Sequence, residues 1–176
     1  MTAMPLSPLF AGILAIGLAA TLPAGAATQA KTYDYSPGDA CQLSIPTTDT
    51  KVRPRANGYR NEGTSSQFVI CGMGGYENDT VTAMSLRFTA MDGIARSMSC
   101  TGYTGLPGWP GGVHYSTKTV SVPATGYGSQ SWTASDFGGN AGEVIFGGLN
   151  LSVTCTLPPN VALQGFESQG LIDVGN

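Results

Sequence analysis

The sequence predicts an all-β fold, an antiparallel β-sandwich of jelly-roll or immunoglobulin-like type, and three observations predict it. Short segments in which apolar and polar residues alternate recur along the chain, as expected of strands with one buried face. Clusters of Gly, Pro, Asn and Asp separate them, and 25 glycines and 11 prolines among 176 residues break long helices. Four cysteines, an even number, follow an N-terminal export segment, which favours a domain stapled by two disulfides.

Taken in order, the chain opens with residues 9–22, LFAGILAIGLAATL, an apolar run of 14. That is shorter than the roughly 20 residues of a membrane-spanning helix and suits the core of a signal peptide. Ala24, Gly25 and Ala26 follow as an A-x-A site, so cleavage is expected after Ala26, with Ala30 as the alternative. Residues 1–26 are thus read as signal peptide and 27–176 as one β-sandwich domain, exported to the periplasm or the medium. Later stretches offer no further apolar run long enough to span a bilayer.

Strands are expected at 41–46, 50–56, 66–71, 80–90, 95–103, 117–122, 129–133, 143–146, 149–157 and 162–167. In VTAMSLRFTA, Met84, Leu86 and Phe88 face one way and Ser85, Arg87 and Thr89 the other. In NLSVTCTL, Leu151, Val153, Cys155 and Leu157 alternate with Ser152, Thr154 and Thr156, which puts Cys155 on the buried face. Met98 and Cys100 share a face of RSMSCTGY in the same way. Four cysteines allow three pairings. The alternation favours Cys100 with Cys155 inside the core, leaving Cys41 with Cys71 near the start. Trp132 falls in a strand and is read as a core residue.

FVIC (68–71), NDTVTAMSLRF (78–88), SCTGY (99–103), a serine-rich strand ending in Trp132, and LSVTCTLPPNVALQGFES (151–168) together resemble a set of small secreted bacterial proteins. VRPRANGYRNEG (52–63) fits the same layout. The resemblance implies a β-sandwich with two disulfides; no established activity comes with it.

Composition excludes several functions. Charged residues are 11% of the chain, with 8 basic against 11 acidic and a net charge of −3. A nucleic-acid partner is therefore not expected, because no basic field is available to hold phosphates. Lys51, Arg53, Arg55 and Arg60 are the only cluster of positive charge. They read either as a contact for an anionic polysaccharide or lipid head group or as protection of an edge strand, together with Pro54.

The most unusual stretch is residues 101–116, TGYTGLPGWPGGVHYS, with five glycines, two prolines, Tyr103, Trp109, Tyr115 and the only histidine, His114. It is read as a long loop between strands. Exposed aromatic rings there could stack on the apolar faces of sugars, or fold back to plug the end of the sandwich.

Catalysis finds little support. His114 would have to serve as the base of any Ser-His-Asp triad, and no G-x-S-x-G elbow accompanies it. Glu77, Asp79, Asp136 and Glu143 have no spacing that marks a glycosidase pair. GGYENDTVTA partly resembles the calcium motif of βγ-crystallins and departs from it at Ala83, so a polar turn is expected there. The nearest cysteines lie 29 residues apart, unlike the close pairs of zinc sites. No metal or cofactor is expected.

What remains is a secreted non-catalytic β-sandwich that binds a glycan or cell-envelope component through Tyr103, Trp109, His114 and Tyr115. The alternatives are a small extracellular hydrolase and a structural or assembly subunit or protein inhibitor. Mass spectrometry of the exported, unreduced protein is expected to give a chain starting at Ala27 with no free thiols; four free thiols would overturn the reading of an exported, stapled domain.

Overall fold

Alternation along the chain resolves into two antiparallel sheets in the computed structural model, which describes residues 27–44, 51–73, 80–145 and 150–175. The elements are β1 (Thr28–Tyr35), helix α1 (Pro37–Ala40), β2 (Cys41–Leu43), β3 (Val52–Arg55), β4 (Gly58–Asn61), β5 (Gln67–Gly72) and β6 (Thr80–Ala90). They continue as β7 (Arg96–Gly105), β8 (Val113–Val122), β9 (Gly128–Thr133), a 3-10 turn (Ala134–Phe137), β10 (Ser152–Leu157) and β11 (Val161–Asp173). The segment read as a signal peptide, and the polar turn at 77–79, lie outside the described residues.

One sheet runs β3-β4-β11-β6-β9, with β1 also on β11; the other runs β2-β5-β10-β7-β8. The pairs β4–β11, β5–β10, β6–β9 and β7–β8 are nested, like the two arms of one long hairpin with its bend between β7 and β8. Rolling that hairpin adds the pairs β11–β6 and β10–β7. A long hairpin rolled in this way is a jelly roll, so the immunoglobulin-like alternative drops out.

The core lies between the sheets. Trp132, Phe88, Phe166, Met84 and Leu86 are fully enclosed, and the Trp132 Nε1–H donates to the Ser116 carbonyl at 3.0 Å, so the indole is buried with its polar atom satisfied. Gly102 on β7 makes room for it. A Cβ at that position would come within 2.7 Å of Met84 Cε and 2.9 Å of Trp132 Cδ1.

Both disulfides lie in the five-stranded sheet and face the core. Cys41 sits directly opposite Cys71 across β2 and β5, and Cys100 opposite Cys155 across β7 and β10; each pair is bonded. They span sequence separations of 30 and 55 residues. In the chain-entropy model, closing loops of that size contributes about 3–4 kcal/mol each.

Five expectations need correction. β1 had no counterpart in the sequence reading; TQAKTYDY shows no apolar alternation and is held by backbone pairing along β11, from Thr28 opposite Asp173 to Tyr35 opposite Phe166, with Tyr35 packed against the core. The strand expected at 50–56 is the first arm of a hairpin, β3–β4. There Gly58 adopts φ +133°, and a Cβ would meet the Leu163 carbonyl oxygen at 2.1 Å. Residues 143–145 form no strand, although Ile145 is buried and its N–H bonds the Val81 carbonyl at 2.7 Å. β11 continues past residue 167 to Asp173, where β1 covers its flank. Finally, 101–116 is a hairpin rather than a long loop: β7 and β8 pair as far as Gly105 and Val113, leaving a tip of 106–112.

β3 is an edge strand that contains Pro54, and its cations are largely spoken for. Arg53 and Arg55 both clamp Glu62, at 2.9 and 2.8 Å. Of the two readings of the basic cluster, edge protection is the one this geometry favours.

Two outcomes follow for stability. Gly102→Ala is expected to cost about 1–3 kcal/mol in urea unfolding, because Trp132 cannot yield as a flexible chain end does; unchanged stability would show that the indole has room. The second concerns acid. Hydrogen bonds from Arg55 and Arg53 lower the Glu62 carboxyl to about 2 from 4.5. A carboxylate with a depressed folded pKa stabilises above its unfolded value and loses that contribution as pH falls towards the folded one. Unfolding midpoints are therefore expected to fall between about pH 4.5 and 2, and Glu62→Gln is expected to flatten that fall.

Candidate functional site

Strand parity divides the residues singled out by sequence between two sides of the β7–β8 hairpin. Cys100 and Gly102 point into the core, so Thr101 and Tyr103 point outward. Tyr115 is the cross-strand partner of Tyr103, and the two rings meet edge to face with centroids 5.3 Å apart. Tyr103 is half-buried; Tyr115, on the edge strand, keeps 64% of its surface exposed.

These rings stand over a hollow of about 330 Å³ on the outer face of the five-stranded sheet, lined also by Ile70, Thr101, Ser152 and Thr154. Register explains why these residues meet. One row across the sheet runs Tyr115–Tyr103–Ser152–Gly72, and the next runs Thr117–Thr101–Thr154–Ile70–Gln42. The Thr101 and Thr117 hydroxyls bond each other at 2.8 Å. One donated bond between two hydroxyls leaves that pair with both a donor and acceptor capacity towards a ligand.

The face is free of charge. None of the outward positions of β2, β5, β10, β7 and β8 among the described residues is Asp, Glu, Lys or Arg. Lys118 has the opposite parity and reaches round the edge to the Ser131 carbonyl at 2.9 Å and the Asp136 carboxylate at 2.8 Å. Burial opposes ionisation of Asp136, yet Lys118 and the Thr133 N–H outweigh it and lower its pKa.

His114 has the inward parity and belongs elsewhere. Its Nε2 lies 3.0 Å from the Gly111 carbonyl oxygen, and it lines a separate hollow of about 360 Å³ with Phe137, Glu143 and Val144. Glu143 accepts from the side chain and backbone of Asn140 at 2.8 and 2.9 Å, which lowers its pKa and keeps it ionised. Among the described lining residues none offers a hydroxyl or thiol as a nucleophile for the imidazole. Trp109 projects from the hairpin tip with 61% of its surface exposed and lines neither hollow. Of the four residues picked from sequence, the structure thus joins Tyr103 to Tyr115 and separates His114 and Trp109 from them.

Thr101, Ser152, Thr154 and Ile70 were missed. The alternation that places Cys100 and Cys155 inward also places Thr101 and Thr154 outward beside them, so half of the row was readable. Ile70 was not, because its contact with the others depends on β5 pairing with β10.

Among the described residues no group of His, Cys, Asp and Glu is arranged to hold a metal ion, and no helix is long and apolar enough to cross a membrane.

No protein-family model and no curated protein sequence matches the chain. Two solved structures are similar to it. One is the Podospora anserina GH26-CBM35 β-(1,4)-mannanase, at 13% identity and a TM-score of 0.36, covering 79% of this chain and 27% of that one. The other is the family 11 carbohydrate-binding module from Clostridium thermocellum in complex with a β-1,3-1,4-mixed-linked tetrasaccharide, at 14% identity and a TM-score of 0.34, covering 81% of this chain and 86% of that one. The chain spans about a quarter of the mannanase's length. At these scores the likeness assigns neither a ligand nor a site.

Proposed function

We propose that the protein is an exported, non-catalytic binding domain whose ligand is a glycan held on the outer face of the five-stranded sheet. The observation that carries this reading is the Tyr103–Tyr115 pair, two aromatic rings on adjacent strands beside a row of hydroxyl side chains. A pyranose ring has an apolar C–H face and a rim of hydroxyls. Tyrosine offers a flat surface to the first at low conformational cost, and threonine and serine offer donors and acceptors to the second. Strands hold such a surface more firmly than a loop does.

The two disulfides and the export segment read from the sequence support an extracellular setting. The His114 hollow supports the hydrolase alternative poorly, since its described lining brings no nucleophile to the imidazole. Among the described residues the strands of each sheet pair in one continuous path, with β1 also on β11, and this gives the assembly alternative no open groove lacking a strand.

Tyr115→Ala is the direct test, because the ring is exposed and its loss should leave the fold intact. On a glycan array followed by calorimetry, it is expected to weaken any bound glycan about 5- to 30-fold, or about 1–2 kcal/mol. Trp109→Ala is expected to have a smaller effect. An array that captures no glycan, or an affinity that Tyr115→Ala leaves unchanged, would remove the sheet face as the site.

A further inference from the structure

We infer that the ligand of this face is an uncharged, extended glycan chain running across the strands, a narrower statement that rests on the glycan reading above. Two independent features lead to it. The first is electrostatic. A polyanionic glycan is held by cations at its carboxylates or sulfates, and the outward positions of the five strands supply none among the described residues. The nearest cation on these strands, Lys118, is committed to Asp136 and the Ser131 carbonyl on the far side of the edge. The other clustered cations, Arg53 and Arg55, lie on the opposite sheet and are paired with Glu62. A cationic glycan would need carboxylates, and the outward positions of these strands supply none among the described residues either.

The second feature is shape. The hollow is lined from β8 through β7 and β10 to β5, so it crosses four strands. At about 4.8 Å between strands that is roughly 14 Å, more than one sugar ring covers. Its long direction follows the two rows of cross-strand neighbours, with Tyr103 and Tyr115 at the β8 end and Ile70 at the β5 end. Beyond Ile70 the row continues to Gln42, an uncharged amide able both to donate and to accept. Beside it Gly72 leaves the adjoining row open, since a Cβ there would meet nothing within 4 Å. A chain lying along this line meets an aromatic surface first, then hydroxyls, then an apolar side chain.

Calorimetry of the purified protein separates this inference from the reading beneath it. The probes are neutral hexasaccharides of glucose, mannose, xylose and N-acetylglucosamine, their disaccharides, and a hexamer of galacturonate. At least one neutral hexasaccharide is expected to bind about tenfold or more tighter than its disaccharide and than the galacturonate, with little dependence on salt. Thr154→Lys, which places a charge in the middle of the row, is expected to weaken that neutral ligand about tenfold. Galacturonate bound more tightly than every neutral chain, and tighter still by Thr154→Lys, would overturn the uncharged class while leaving the face as a glycan site. A disaccharide that binds as well as its hexamer would overturn the extended mode. No binding of any probe would overturn both statements.

Discussion

The register between β7 and β10 governs both sides of the five-stranded sheet. It is set where Cys100 lies opposite Cys155, and the bond between them fixes it covalently at the one place where the strand closing the roll meets the strand leading into the exposed hairpin. One residue further along, the same register puts Thr101 opposite Thr154 on the outer surface. A slip of a single residue would turn every side chain to the other face, moving the threonines into the core and the sulfurs into water. The disulfide is therefore a staple for the fold and also the support beneath the row of hydroxyls.

Legibility in the sequence followed the strength of alternation. β6 and β10 carry clear period-2 patterns, and their buried and outward faces are as the pattern indicates; Cys155 lies inward, joined to Cys100. Trp132 could be placed in the core from its strand alone, but its dependence on Gly102 could not, since that contact joins opposite sheets. β1 escaped notice because its apolar residues show no alternation; backbone pairing along β11 holds it, with Tyr35 packed against the core at its end. The β3–β4 turn falls at Ala56 and Asn57, with Gly58 already paired to Arg55, and the run of basic residues around it obscured the reversal. For the site, sequence could gather Tyr103, Trp109, His114 and Tyr115 by proximity along the chain. Proximity could not say on which side of a strand each ring falls, and reading 101–116 as a loop removed the parity that would have separated His114 from the tyrosines.

That separation gives the hairpin two surfaces of different chemistry. Outward, from the tip downward, β7 and β8 present paired Tyr, then Thr, then Ser and Thr, without a charge. Inward and at the edge, the same strands carry His114, which shares a hollow with Glu143, and Lys118 paired with Asp136. The Lys118 ammonium also sits 5.8 Å from the Trp132 ring centroid, a cation–π distance. Charge in this part of the molecule is used to tie the hairpin to the 3-10 turn, which keeps it away from the face.

The nested strand order also constrains when folding can happen. In each sheet the central strand is a late one: β10 lies between β5 and β7, and β11 between β4 and β6. Before residues 152–173 are available, β5 and β7 have no strand to join them, and neither do β4 and β6. An emerging chain can form local hairpins such as β3–β4 and β7–β8, but it cannot close either sheet. Contacts of such long sequence separation favour slow folding. With the centre of each sheet supplied last, neither half of the sandwich can lock until residues 152–173 are in place.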